Sequence, residues 1–150
     1  MLKRYLKNEK GLTLIELLAV VVILGIIAAI AIPSIGGIIS NSVKDAHISN
    51  AQQIANAAKI SLAADQNSAA TGTVTLKDLI SKGFLEPIKD PSNKGEEYNS
   101  DATQVEIEYD DPSDTSKGLV YNVTLVANDG HKYFEDKDAF KLVRDDVTLP

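Results

Sequence analysis

The sequence of 150 residues contains no cysteine and no tryptophan. Without cysteine there is no disulfide framework, no thiolate-held zinc and no cysteine nucleophile. The compartment stays open, because many exported proteins also lack cysteine; an exported domain here must be stable from its core alone. Catalytic signatures are missing as well. There is no HExxH, no GxSxG, no phosphate loop and no GxGxxG. The two histidines, His47 and His131, stand far apart in the chain. No constellation of acid, base and nucleophile emerges, so the expectation is a protein that is not an enzyme and carries no cofactor. His47 reads as a residue on the polar face of a helix. Charge is almost absent from Leu12 to Ile39, where Glu16 is the only charged side chain.

What is present is split along the chain. Hydrophobic residues make up 44% of the sequence, as in an ordinary soluble globule. They are concentrated near the start, and from Lys44 onward the chain is polar and charged. Residues 1–11 carry Lys3, Arg4, Lys7 and Lys10 against Glu9, a net +3; the remainder holds 11 basic and 20 acidic side chains, a net −9, within the whole chain's −6. The basic stretch precedes the apolar run, so the positive-inside rule keeps it cytoplasmic and sends everything after Ile39 outside. The unbroken apolar run is Leu17–Ile32. Counted from Leu12 to Ile39, the segment would be roughly 42 Å as a helix, against a hydrocarbon core of about 30 Å. It is long enough to span with its ends in the headgroups.

Three readings compete for this segment. It is a permanent anchor, a secretory signal peptide with Ala29-Ile30-Ala31 as its small-x-small cleavage site, or a span whose purpose turns on Glu16. The apolar region is longer than a usual signal peptide, and apolar residues continue past Ala31 at helical spacing. An ionisable side chain inside a membrane is costly and implies a function and a partner. No cation lies nearby in the apolar run. A free amino group created by cutting after Gly11 would serve, best from a neighbouring copy. The plainer alternative is a Glu16 that stays hydrated near the interface.

Lys10-Gly11 followed by Leu12-Thr13-Leu14-Ile15-Glu16-Leu17-Leu18 resembles the cleavage and methylation motif of type IV pilins and pseudopilins. The short basic leader, the Gly before the cut, the Glu five residues into the mature chain, the apolar stretch and Pro33 all match over about residues 4–35. The family most often has Phe where Leu12 stands. The resemblance implies that a prepilin peptidase cuts between Gly11 and Leu12 and methylates the new amino terminus at Leu12. It implies that Glu16 neutralises the amino terminus of an adjacent subunit during assembly. It further implies a helical homopolymer as the main partner, with an inner-membrane platform protein, an assembly ATPase and minor pilins. Pro33 lacks an N–H and Gly25 is a flexible point, so the stretch between them is expected to be helical in lipid and able to unwind in a filament, as family filaments do.

The spacing predicts one helix from Leu12 to about Ala64. Ile39, Val43, Ala46, Ile54, Ala57 and Leu62 form its apolar face in the second half, and Asp65-Gln66-Asn67 stop it. The expected organisation is a leader at 1–11, an apolar membrane or filament-core helix half at 12–39 and an amphipathic half at 40–65. A connecting loop with a short helix follows at 66–100, and a sheet domain at 101–150. Ser68–Gly72 reads as a small-residue linker. Thr75–Leu85 reads as the short helix, with Thr75 and Asp78 at capping-box spacing, Gly83 at its end, and Leu76, Leu79 and Ile80 facing the core. The run from Leu79 through Lys82-Gly83-Phe84-Leu85 to Asp90-Pro91 resembles the same stretch in pilins of Gram-positive bacteria. Val105–Tyr109 and Leu119–Ala127 read as strands, Asn128-Asp129-Gly130 as a hairpin turn and His131–Phe134 as the start of the return strand. Lys141–Val143 reads as further pairing near the end. The fold class is α+β, a long helix packed on a three- or four-stranded antiparallel sheet.

Two acidic loops raise calcium as a ligand: Asp110, Asp111 and Asp114 in one, Glu135, Asp136 and Asp138 in the other. Their spacing does not match an EF-hand, and solvated acidic loops that keep an exported domain soluble are the simpler reading. Lys132, Lys137, Lys141 and Arg144 could form a basic patch, but acids interleave them and the −9 body opposes phosphate. DNA enters as a partner only for a competence pilus. Together these readings point to a structural subunit of a type IV pilus, a membrane protein before assembly and an extracellular filament afterwards. A pseudopilin of a competence or type II secretion system is the near alternative. A monomeric exported or membrane-anchored binding module is the distant one.

Overall fold

The computed structural model describes residues 13–64 and 71–150. The leader, the Gly11–Leu12 bond and the Asp65–Asn67 stop therefore lie outside the described residues. The fold is α+β. Helix α1 spans Leu14–Ala64, strand β1 Gly72–Thr75, helix α2 Leu76–Ser81, β2 Gln104–Tyr109, β3 Leu119–Val126 and β4 Lys132–Asp138. The strands form one antiparallel sheet in the order β1-β2-β3-β4, a meander in which each strand pairs with the next. The chain divides into two compact units at Ile39 and Ser40.

In the first unit α1 is helical throughout, including at Pro33. None of its described residues is buried.

In the second unit α1 buries His47, Ala51, Ile54, Ala55, Ala57, Ala58 and Ser61. The spacing of 47, 51, 54, 58 and 61 is a single helical stripe. Four of the seven buried residues are alanine, which lets the helix lie close to its neighbours while Ile54 supplies the bulk. The same core holds Val105, Ile107, Tyr121, Val123 and Leu125 of the sheet, with Leu76, Leu79, Tyr133, Ala139 and Val147. The expected face needs correcting at its margins. Ile39 is 58% exposed, and Val43, Ala46 and Leu62 are only half-buried. His47, expected on the polar face, is fully buried.

The short helix is four residues shorter at its end than its apolar spacing suggests, because its stop signal acts early. Thr75 caps it: its hydroxyl accepts the Asp78 N–H at 3.1 Å and its own N–H donates to the Asp78 carboxylate at 3.4 Å. At the other end Gly83 has φ +77°. Its N–H donates to the Ile80 carbonyl at 3.0 Å, and the Phe84 N–H donates to the Leu79 carbonyl at 2.9 Å. This pair of bonds is a Schellman motif, and the left-handed residue it needs is why Gly stands there.

β1 replaces the expected linker end at Gly72 and helix start at Thr75 with a strand. Thr73 and Val74 pair with Glu106 and Val105. Four residues before a capped helix carry too little period-two pattern to be seen alone; the partner strand makes them a strand. β2 and β3 follow their alternation, with Val105 and Ile107 inward and Glu106 and Glu108 outward. The hairpin closes through Ala127 N–H donating to the His131 carbonyl at 2.8 Å, with Gly130 at φ +92°. Lys141–Val143 is not a strand: a turn there leads into a short 3-10 helix at Arg144–Asp146. The C-terminal segment reaches the sheet later, where Thr148 N–H donates to the Tyr133 carbonyl at 2.8 Å.

Candidate functional site

The amino-terminal end of α1 is organised around Glu16. Its carboxylate accepts both the N–H and the hydroxyl of Thr13 at 2.8 Å, and Thr13 Oγ1 accepts the Glu16 N–H at 3.3 Å. Residues Thr13-Leu14-Ile15-Glu16 thus form a capping box at the helix start, with the carboxylate at the positive end of the helix dipole. Thr13 supplies only dipoles. Among the described residues no cation pairs with Glu16, whose charge is met there by the Thr13 dipoles and the helix start.

Below this cap the helix presents an unbroken apolar surface. Its most apolar 18-residue window has a mean hydropathy of 3.0, and none of that window is buried. Leu14, Ile15, Leu18, Ile23, Ile30, Ile32 and Ile38 each expose more than half of their surface. An apolar area of this extent does not stay in water; it is covered by lipid or by other protein. Gly25 and Pro33 lie on this stretch, and a methyl added at Gly25 would meet nothing within 4 Å. Gly25 is therefore not there to admit a contact inside its own chain.

The second unit brings together a cluster that the sequence did not suggest. His47 Nδ1 lies 2.8 Å from the Tyr98 hydroxyl, and Nε2 lies 2.8 Å from Ser92 Oγ. Asn50 donates to the same Tyr98 hydroxyl at 3.0 Å. The imidazole stacks on the ring of Tyr133 at 3.8 Å, and Tyr133 donates its hydroxyl to Asp90 at 2.5 Å. Asp90 also accepts the Ser92 N–H at 2.8 Å and stands 4.0 Å from His47 Nε2. Burial pushes the His47 pKa down to about 4, against the opposing pull of Asp90. Burial likewise pushes the hydroxyls of Tyr98 and Tyr133 up.

Ser92 and His47 have the spacing of a nucleophile and a base, yet the chemistry does not follow. The imidazole is fully enclosed, its second nitrogen meets a phenol, and its pKa lies far below that of an effective base at neutral pH. What the cluster does is tie residues 86–99 and β4 to α1. Its signal in the sequence was the position of His47, one helical step before Ala51, Ile54 and Ala58.

The remaining candidates are dispersed. Asp111 accepts from Lys117 and the Ser113 N–H, both at 2.8 Å; Asp114 accepts the Ser116 hydroxyl at 2.5 Å. Lys117 and the backbone bond to Ser113 hold the Asp111 carboxyl below the usual range, and the Ser116 bonds do the same for Asp114. Asp138 pairs with Lys141 at 3.1 Å and accepts the Phe140 N–H at 3.0 Å. Asp136 takes φ 50° at a break in the β3–β4 register. The neighbouring charges of Glu108 and Asp136 raise the Glu106 carboxyl. Among the described residues no group of three or more His, Asp or Glu side chains is arranged to hold a metal. Asp110 is an exposed residue whose N–H donates to the Gly118 carbonyl at 3.1 Å. The basic residues are compensated one by one: Lys132 by Glu135, Lys137 by Asp146, Lys141 by Asp138 and Arg144 by Asp45. They form no uncompensated cationic surface.

Among the described residues one helix, α1, is long and apolar enough to cross a membrane, and it begins at a capped turn that holds an acidic residue. Residues 6–32 match the model of the prokaryotic N-terminal methylation motif. The matched stretch is similar to the class III signal peptide of type IV pilins and pseudopilins. No curated protein and no solved structure matches it. The motif implies processing by a prepilin peptidase.

Proposed function

We propose that this chain is a structural subunit that polymerises into a type IV pilus filament. The observation that carries the proposal is the Thr13–Glu16 cap on an exposed apolar helix, inside the matched methylation motif. Before assembly the apolar half of α1 anchors the subunit in the membrane. Cleavage between Gly11 and Leu12 frees an amino group at Leu12. In the filament that group, contributed by the adjacent subunit, gives Glu16 a cation that the described residues of its own chain do not provide. A charged side chain drawn into the apolar layer is costly, so neutralisation favours leaving lipid for the filament. Gly25 and Pro33 mark where the helix can unwind once other subunits surround it. The sheet unit forms the filament exterior.

The test is the intact mass and amino-terminal sequence of protein sheared from the cell surface, together with filament counts for Glu16→Ala. A chain starting at Leu12 with one added methyl, and no filaments from the variant, is the expected result. A chain starting at Ile32 would mean ordinary signal-peptide cleavage and overturns the proposal. Normal filaments from Glu16→Ala would remove Glu16 from the assembly step.

A further inference from the structure

Residues 88–98 fold back on themselves as a small hairpin. Lys89 bridges Glu97, the Asp90 N–H donates to the Glu96 carbonyl at 2.9 Å, and the Tyr98 N–H donates to the Ile88 carbonyl at 3.4 Å. Ile88 packs against the hydrophobic core and Tyr98 lies in it, but no side chain between them belongs to it. Apolar burial therefore holds the base of the hairpin and not its length. The length is fastened to α1 and β4 by the His47 cluster: Ser92 and Tyr98 on the imidazole, Asn50 on Tyr98, and Tyr133 on Asp90.

The cluster is a directed chain of hydrogen bonds. Asn50 donates to the Tyr98 hydroxyl, which leaves that hydroxyl's own proton for His47 Nδ1. The ring proton then sits on Nε2 and is donated to Ser92 Oγ. Ser92 bonds in turn to the Tyr133 hydroxyl, and Tyr133 donates to Asp90. A neutral imidazole fits this chain and a charged one does not. A second proton lands on Nδ1 and faces the Tyr98 hydroxyl, which must turn from donor to acceptor while Asn50 already donates to it. The Tyr98 proton is displaced from its acceptor inside a site where His47 is 0% and Tyr98 4% exposed. A buried donor without an acceptor and a buried cation are both costly. The groups around the ring do not cancel that cost. Asp90, 4.0 Å from Nε2, favours the added charge, and His131, edge-on to Tyr133, opposes it. Burial keeps Tyr98 and Tyr133 neutral.

We propose that residues 88–98 are an acid-released strap with His47 as its latch: a proton on the imidazole undoes the Tyr98 contact and lets the hairpin lift from α1 while the sheet stays folded. Lifting brings the imidazole into water, where it keeps the proton. The device lies wholly within the second unit and depends neither on membrane anchoring nor on polymerisation.

Hydrogen exchange of the full chain in detergent micelles, read by mass spectrometry at pH 7 and pH 5 and corrected for the intrinsic rate at each pH, follows strap and sheet separately. At pH 5 most carboxylates stay ionised, so histidine carries the change. A latch with a pKa of about 4 when closed and 6.5 when free loosens the strap roughly twentyfold between the two pH values. The expected result is that loss of protection at residues 88–98, with less than about a twofold loss in β2 and β3. An unchanged strap, or an equal loss in the sheet, overturns the proposal. In His47→Gln the response should fall below about twofold, and a response that persists in full overturns the latch. His131→Gln should keep the response; its disappearance there makes His131 the sensor and also overturns the proposal. Tyr98→Phe keeps the ring and removes the latch bond, so its strap should already exchange faster at pH 7 with β2 and β3 unchanged. Full protection of that strap at pH 7 counts against the latch in the same way.

Discussion

His47 and Tyr98 are 51 positions apart in the chain, and the imidazole Nδ1 lies 2.8 Å from the phenol oxygen with His47 wholly out of solvent. This one contact joins the second half of α1 to the 86–99 segment, and through Tyr133 and Asp90 to β4. Each polar group in it has a partner, so its contribution to stability depends on His47 remaining neutral.

The pH dependence follows from that. His47 has a folded pKa of about 4 against 6.5 for the free side chain. Between those values the unfolded chain binds a proton that the folded one does not, so stability rises with pH. The contribution is complete above pH 6.5, falls through the window from 6.5 to 4, and amounts to about 3 kcal/mol lost at its lower end. Urea denaturation of the second unit's signal at pH 7.5 and pH 4.5 should show this loss. In His47→Gln the change between those two pH values should shrink; an unchanged slope would place the acid sensitivity elsewhere.

Tyr133→Phe removes the hydroxyl that donates to Asp90 and leaves a buried carboxylate short of one donor. The expected cost is about 1–3 kcal/mol. Asp45→Asn breaks a pair whose side chains are about half exposed, and the midpoint of unfolding should scarcely move. Equal losses in the two variants would contradict this ordering, which chemical denaturation of both proteins side by side would reveal.

Ala58 is fully buried on the helical stripe facing the core. Ala58→Leu forces three extra heavy atoms into a space filled at close packing, at a cost of about 1–3 kcal/mol or more. Ile54→Ala removes bulk from the same stripe at about 2–5 kcal/mol. Both should lower the thermal midpoint, whereas Asn56→Ala on the exposed side of the same turn should not.

Thr75→Ala removes the hydroxyl half of the α2 capping box and leaves the half in which the residue 75 N–H donates to Asp78. A loss of about 1 kcal/mol is expected, most of it recovered by Thr75→Ser. Hydrogen exchange at Asp78 reads the effect locally, since its N–H is the one the Thr75 hydroxyl accepts.

Much of this protein was determined by sequence alone, because the determinants are local. A basic stretch before an apolar run, the Gly11-Leu12…Glu16 motif, the capping pair Thr75 and Asp78, the stop at Gly83 and the turn at Asn128–Gly130 each act within a few residues. Alternation marked β2 and β3 for the same reason. Only the tertiary structure decided what depends on distant partners. β1 is a strand because β2 pairs with it, and Lys141–Val143 belongs to a turn that starts where Ala139 is buried and the Lys141 N–H donates to the Asp138 carbonyl. His47 is a buried residue because Ser92, Tyr98 and Tyr133 enclose and satisfy it. A histidine on a mixed helical face carries no mark of burial; its partners do, and they lie about fifty and ninety residues away in the chain.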